Sequence, residues 1–186
     1  MATLGGGCIF SPDRSKDPPK DKQPVVYLPR DTAARAVEYL SLAWENRDSV
    51  RIDSVYADDY EGTSVDLVDQ AQPSFIFHKS DEVHSVGALA QATEITYVDM
   101  DLKVGTWNEF HYSTDPPDWW TVQVPYFKIE VRDVLGNGFS ATSPKTGESW
   151  IFEFTLRPTY PSWANGAPVW EIVKWVESRN KLGQGP

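Results

Sequence analysis

Asp99 and Asp101 form a pair that could do acid–base chemistry. Two residues apart in an extended segment, they share one face, and like charges held together raise one of the two pKa values. A general acid or base working near neutral pH needs such a shift. The plainer reading of the same pair is a solvated strand face. The three histidines are His78, His84 and His111, and no triplet around them has zinc-ligand spacing, so no metal site is implied. Gly5-Gly6-Gly7 follows no strand pattern, so it is not a phosphate-cradling loop. A nucleophile turn of the Gly-x-Ser-x-Gly type is absent. The residues therefore imply no cofactor. The single cysteine, Cys8, cannot close an internal disulfide or build a cysteine metal cage.

These side chains must be positioned by helices first and strands afterwards. Asp31 is the predicted N-cap of a helix over about 32–46, in which Ala33, Val37, Leu40 and Trp44 recur at three- and four-residue spacing. Asp48 can cap a second, short helix through Val50, Ile52, Val55 and Tyr56. Tyr60–Val65 reads as a short extended piece and 66–74 as a loop. Ser80 is the expected cap of a third helix, with Asp81 and Glu82 near its positive end. After residue 92 the period changes to two. Thr93–Val104 places Ile95, Tyr97, Asp99 and Asp101 opposite Thr96, Val98, Met100 and Leu102. Further strands are expected over Trp107–Tyr112, Trp119–Asp133 with a bulge or edge at Pro125, Phe139–Thr142, Ser149–Thr159 and Pro168–Ser178. Leu135-Gly136-Asn137-Gly138 marks a turn. Helices followed by an antiparallel meander define an α+β class.

That order, carried by Ala33–Trp44, Asn46-Arg47-Asp48, Tyr56-Ala57-Asp58-Asp59-Tyr60 and the closing run Val169–Val176, resembles the nuclear-transport-factor-2-like (NTF2-like) superfamily, also called SnoaL-like or cystatin-like. The resemblance spans about 150 residues. It implies an NTF2-like cone in which three N-terminal helices pack on a strongly curved antiparallel β-sheet. A pocket between helices and sheet would be lined by Tyr39, Tyr56, Tyr97, Trp150, Phe152 and Phe154, taking an apolar small molecule; alternatively those aromatics fill the cone. Relatives that isomerise steroids use a tyrosine of the first helix with a carboxylate base. Tyr39 falls near that tyrosine, one residue farther from Asp48 than the isomerase pattern has. The base position falls on Ser64, and Asp66 lies two residues beyond. The implied catalytic alternative, an isomerase, cyclase or hydratase, uses Tyr39 with Asp66 or Asp99. The incomplete catalytic match and the aromatic cone favour the other alternative, a non-catalytic binding domain, and folds of this type often form homodimers through the sheet's outer face.

Cys8 carries a second resemblance. Thr3-Leu4-Gly5-Gly6-Gly7-Cys8 is similar to the lipobox of bacterial lipoproteins, in which the cysteine is acylated and becomes the mature N-terminus. The leucine lies four positions before Cys8 rather than three, and no charged or strongly apolar leader precedes it. The expected organisation is a signal remnant over 1–8, a Pro-rich tether over 9–24, the folded domain over 25–182 and a tail over 183–186. The expected location is the cell envelope, on the periplasmic side of the outer membrane in a Gram-negative host, with an envelope protein as the other candidate partner. Without processing at Cys8 the location is cytoplasmic. The 186 residues carry a net charge of −10, which argues against nonspecific binding to nucleic acid. Residues 1–30 are locally basic, so the acid excess belongs to the folded part.

Overall fold

The computed structural model describes residues 24–66, 74–102, 108–143 and 148–181. Cys8, almost all of the tether and the tail lie outside the described residues.

Helix α1 spans Ala33–Glu45 and α2 spans Ser49–Val55. The cap of α1 is Thr32 rather than Asp31: its hydroxyl accepts the Arg35 N–H at 3.2 Å, while Asp31 forms an ion pair with the Arg35 guanidinium at 2.8 Å. Asp48 caps α2 as expected, accepting the Arg51 N–H at 3.1 Å. Between the helices, Arg47 N–H bonds to the Trp44 carbonyl and Asp48 N–H to the Ala43 carbonyl. This is a Schellman closure, and it places Arg47 in the left-handed region at φ 55°. Helix α3 spans Lys79–Gln91. It starts one residue before Ser80, because the Asp81 carboxylate accepts the His78 N–H at 2.8 Å and fixes the first turn there.

Among the described residues nine strands follow or separate these helices: β1 Tyr56–Asp66, β2 Phe75–His78, β3 Ile95–Asp101, β4 Asn108–Phe110, β5 Trp120–Gln123, β6 Phe127–Asp133, β7 Gly138–Ser143, β8 Glu148–Thr159 and β9 Val169–Lys181. Six form a sheet in the order β2-β1-β9-β8-β5-β4, and three form a second in the order β3-β6-β7. The sheet is therefore mixed, antiparallel except for the parallel pair β1–β9, rather than a pure meander. The single long strand expected over Trp119–Asp133 is two strands in different sheets. Val124 still donates to the Phe152 carbonyl at 2.8 Å, but Pro125 has no N–H with which to continue the ladder, and the chain crosses to the other sheet.

The apolar stripe of α1 (Ala33, Ala36, Val37, Leu40, Ala43) faces the sheet, where it meets Phe152, Phe154, Ile172 and Trp175 in one core. Ser41 hydroxyl donates to the Met100 carbonyl and ties α1 to β3. Strand β9 contains a bulge: Thr155 pairs with Lys174 and Leu156 with Ile172, leaving Val173 as the extra residue. The bulge flips the alternation, so Ile172 and Trp175, three apart, both point into the core. No helix among the described residues is long and apolar enough to cross a membrane.

Candidate functional site

The cavity that Tyr39 lines is built by the segment before α1. Trp170 N–H donates to the Arg30 carbonyl at 2.9 Å, which pins residues 27–31 beside the start of β9. Tyr27 then packs on Tyr39 with ring centroids 4.9 Å apart. Two guanidinium groups lie on this aromatic pair. Arg30 sits over the Tyr39 ring at 5.1 Å and donates to the Ser54 carbonyl. Arg51 sits over the Tyr27 ring at 5.0 Å and donates to the Tyr39 hydroxyl at 3.1 Å. Cation–π contact of this kind holds both groups in place without neutralising them. Leu28, Pro168, Val169 and Trp163 also line the cavity, the last on a short 3-10 turn over Ser162–Ala164. Asn165 and Gly166, both at positive φ, return the chain to β9. The space enclosed is about 670 Å³, within the range of small-molecule sites.

Electrostatically the cavity is unlike the rest of the chain. Among the described residues neither Arg30 nor Arg51 forms an ion pair. The carboxylates around them are engaged elsewhere: Asp31 with Arg35, Glu171 with Arg157 at 3.9 Å, and Asp48 in capping α2 and accepting the Tyr27 hydroxyl at 3.3 Å. Burial, with the Asp48 carboxylate behind it, pushes the Tyr27 phenol up to about 12, so it stays protonated. Burial lowers the Arg30 guanidinium from its ordinary value, and the Tyr39 hydroxyl raises that of Arg51.

A second polar group lies inside the core. Glu82, on the first turn of α3, is only 8% exposed. Burial first, then the like charges of Asp81 and Glu177, push its carboxyl up to about 7. It adjoins Tyr56 and Tyr60, whose rings pack 4.1 Å apart and whose hydroxyls are buried together with the Trp44 indole N–H. The sequence marks Glu82 only as an acid favoured at a helix start, a position that is ordinarily solvated. Its burial comes from β1, which begins at Tyr56 rather than Tyr60 and brings both tyrosines under α3.

The residues singled out from the sequence are dispersed. Phe152 and Phe154 are core side chains, packed with Phe127 and Trp175. Tyr56 belongs to the Glu82 cluster and is buried away from the Tyr39 cavity. Tyr97 is 44% exposed, with the Arg132 guanidinium over its ring at 5.8 Å. It lies on the face of β3 opposite Val98, Met100 and Leu102, so it lines no core pocket. Asp99 shares that outer face and pairs with Lys128 at 2.8 Å, which in turn pairs with Glu130 at 2.8 Å. The structure thus does not bring Asp99 to Tyr39. Asp66 ends β1 opposite Arg179, whereas Tyr56, two residues after the Tyr39 neighbour Ser54, stands opposite Ile172. Seven residues of β9 separate those two registers, about 23 Å at ~3.3 Å per residue. Trp150 is in register with the same Arg179 at that far end of the sheet. Among the described side chains of the expected set, only Tyr39 lines the cavity. Tyr27, Arg30 and Arg51 were not singled out; the signal available was a Tyr-x-x-Arg run directly before the first helix start. Among the described residues, no three His, Cys, Asp or Glu side chains gather as metal ligands.

No family model matches the chain, and no curated protein matches it by sequence. Solved structures do match. ActVI-ORFA from Streptomyces coelicolor superposes with a TM-score of 0.51 at 9% identity, over 79% of this chain and 93% of that one. A cystatin-like-fold protein from Caulobacter vibrioides gives 0.49 at 14% identity, over 82% and 89%. An NTF2-like protein from Rhodospirillum rubrum gives 0.48 at 18%, over 79% and 97%. At these identities the likeness concerns the fold alone. With three helices on a curved, mostly antiparallel sheet, the chain has the NTF2-like α+β fold.

Proposed function

We propose that this domain binds a small molecule with a flat apolar body in the cavity between Tyr27, Tyr39 and Trp163, and that it does so as a receptor rather than as a catalyst. One observation carries the reading: a cavity of about 670 Å³ is lined by two tyrosine rings packed at a tilt, by Leu28 and Val169, and by an indole that is 72% exposed. A large aromatic left open beside a preformed hollow gives a ligand apolar surface to cover. Binding rather than turnover is supported by the carboxylates there. A proton-abstracting base must reach the ligand, and Asp31 and Asp48 are instead held in an ion pair and a helix cap. Titration with 1-naphthol, followed by NMR, tests this. The Trp163 indole N–H and the backbone resonances of residues 27–31 are expected to shift together and saturate. Shifts elsewhere, or none up to the solubility limit of the probe, refute the reading.

The same proposal places the domain on a lipid anchor at Cys8, supported by the small-residue run Leu4–Gly7 and the Pro-rich stretch after it. Mass spectrometry of the native membrane fraction is expected to find an acylated N-terminal cysteine. A full-length, unacylated N-terminus overturns it.

A further inference from the structure

We infer that the ligand of the Tyr27–Tyr39 cavity is a carboxylic acid, its monoanion held between the Arg30 and Arg51 guanidinium groups and its apolar body against Leu28 and Trp163. The inference rests on the cavity being a small-molecule site and goes beyond it by naming the polar end of the ligand.

The chain has 27 acidic and 17 basic residues, so cations are the minority charge on it. Arg30 and Arg51, neither in an ion pair among the described residues, nevertheless line one cavity, and the charge of Arg51 weighs on that of Arg30. Their positions are fixed from several directions. Arg30 is held by the Ser54 carbonyl, the Tyr39 face and the backbone bond to Trp170; Arg51 is held by the Tyr39 hydroxyl and the Tyr27 face. A guanidinium has five N–H donors. The interactions just named use one side-chain donor of each arginine, so most of the fork remains available to an incoming oxygen pair. Such forks match planar carboxylates.

The charges nearby limit the ligand to a single negative charge. Asp31 pairs with Arg35 and Arg157 pairs first with Asp59 at 2.8 Å, so Arg30 and Arg51 share their surroundings with the Asp48 and Glu171 carboxylates while forming an ion pair with neither. A phosphate dianion would leave a charge uncompensated in a partly desolvated site, and a cation would meet two like charges. Stacked guanidinium groups also hold their charge over the whole physiological pH range.

Matched pairs of probes test the inference: 1-naphthoate against naphthalene-1-methanol, and indole-3-acetate against tryptophol, by calorimetry at pH 7. The acid of each pair is expected to bind at least about tenfold more tightly than its alcohol, as a charge-assisted bidentate contact does. Arg51→Gln, at an exposed site, is expected to remove most of the acid-over-alcohol preference, read as the ratio of the two affinities, and Arg51→Lys to restore part of it. Arg30→Gln is expected to act in the same direction. Equal binding of acid and alcohol overturns the inference and leaves the cavity reading standing. Binding of neither member of either pair overturns both. Tighter binding of naphthalene-1-methylamine than of the acid overturns the inference alone.

Discussion

Replacing Glu82 by glutamine is expected to stabilise this protein, and only above acid pH. The carboxyl is 8% exposed beneath α3, next to two tyrosine rings, with Asp81 and Glu177 as like-charged neighbours. Its pKa in the folded protein is pushed up to about 7, against an ordinary value of 4.5. Below the ordinary value both folded and unfolded chains carry the proton and the group is neutral in its effect. Between the two values the folded chain keeps a proton that the unfolded chain has released, so stability falls as pH rises. Above pH 7 the full cost is present. At ~1.4 kcal/mol per pKa unit the cost is about 3 kcal/mol. Glu82→Gln keeps the side-chain shape and removes the charge. Urea unfolding followed by tryptophan fluorescence at a series of pH values between 4 and 8 measures the difference between the two proteins. The variant should match the parent near pH 4 and exceed it by about 3 kcal/mol at pH 8, worth roughly 6–12 °C in Tm for a domain of this size. A gap that does not change with pH, or a variant less stable at pH 8, refutes the argument.

A Cβ at Gly62 would overlap the Phe77 ring and the Tyr60 hydroxyl. Gly62→Ala should therefore cost about 1–3 kcal/mol of unfolding free energy in urea, and adding Phe77→Leu should return part of it; a neutral Gly62→Ala would show that β1 and β2 are not packed as described. Arg47 holds the left-handed position of the α1–α2 turn with a side chain, so Arg47→Gly should raise stability by about 0.5–1 kcal/mol in the same assay, whereas a loss of that size would show that its contact with the Leu89 carbonyl matters more than the backbone angle.

Helices and turns were legible because their signals are local. The Ala33–Leu40 stripe, the Asp48 cap and the Leu135–Gly138 turn each need only a few consecutive residues, and the structure has all three. Alternation along Ile95–Leu102 was legible too, but it says that two faces exist and not which one is inside. Met100 and Leu102 took the core, and Tyr97 and Asp99 went to the Lys128 side. Features set by distant pairing were not legible. The β9 bulge that puts Ile172 and Trp175 on one face exists because of how β8 and β1 register against it. The break at Pro125 read as a bulge within one strand, since nothing in the sequence says that the next residues join another sheet. The cavity was missed for the same reason: Tyr27 and Arg30 become site residues only once Trp170, far along the chain, fixes the segment before α1. The aromatic residues that the sequence offered for a pocket, Phe152 and Phe154, were used up in packing against Trp175.

The parallel union of β1 with β9 has a consequence for how the chain is made. Strand β9 occupies the middle of the six-stranded sheet, yet among the described strands it comes last in the chain, more than a hundred residues after β1 begins. Until Val169–Lys181 leaves the ribosome, β1 and β8 each present a bare backbone edge, the kind of template on which nascent chains stick to one another. Closure joins the most distant parts of the chain and is slow on topological grounds. Losing Val169–Lys181 would therefore split the sheet down its centre rather than trim its border.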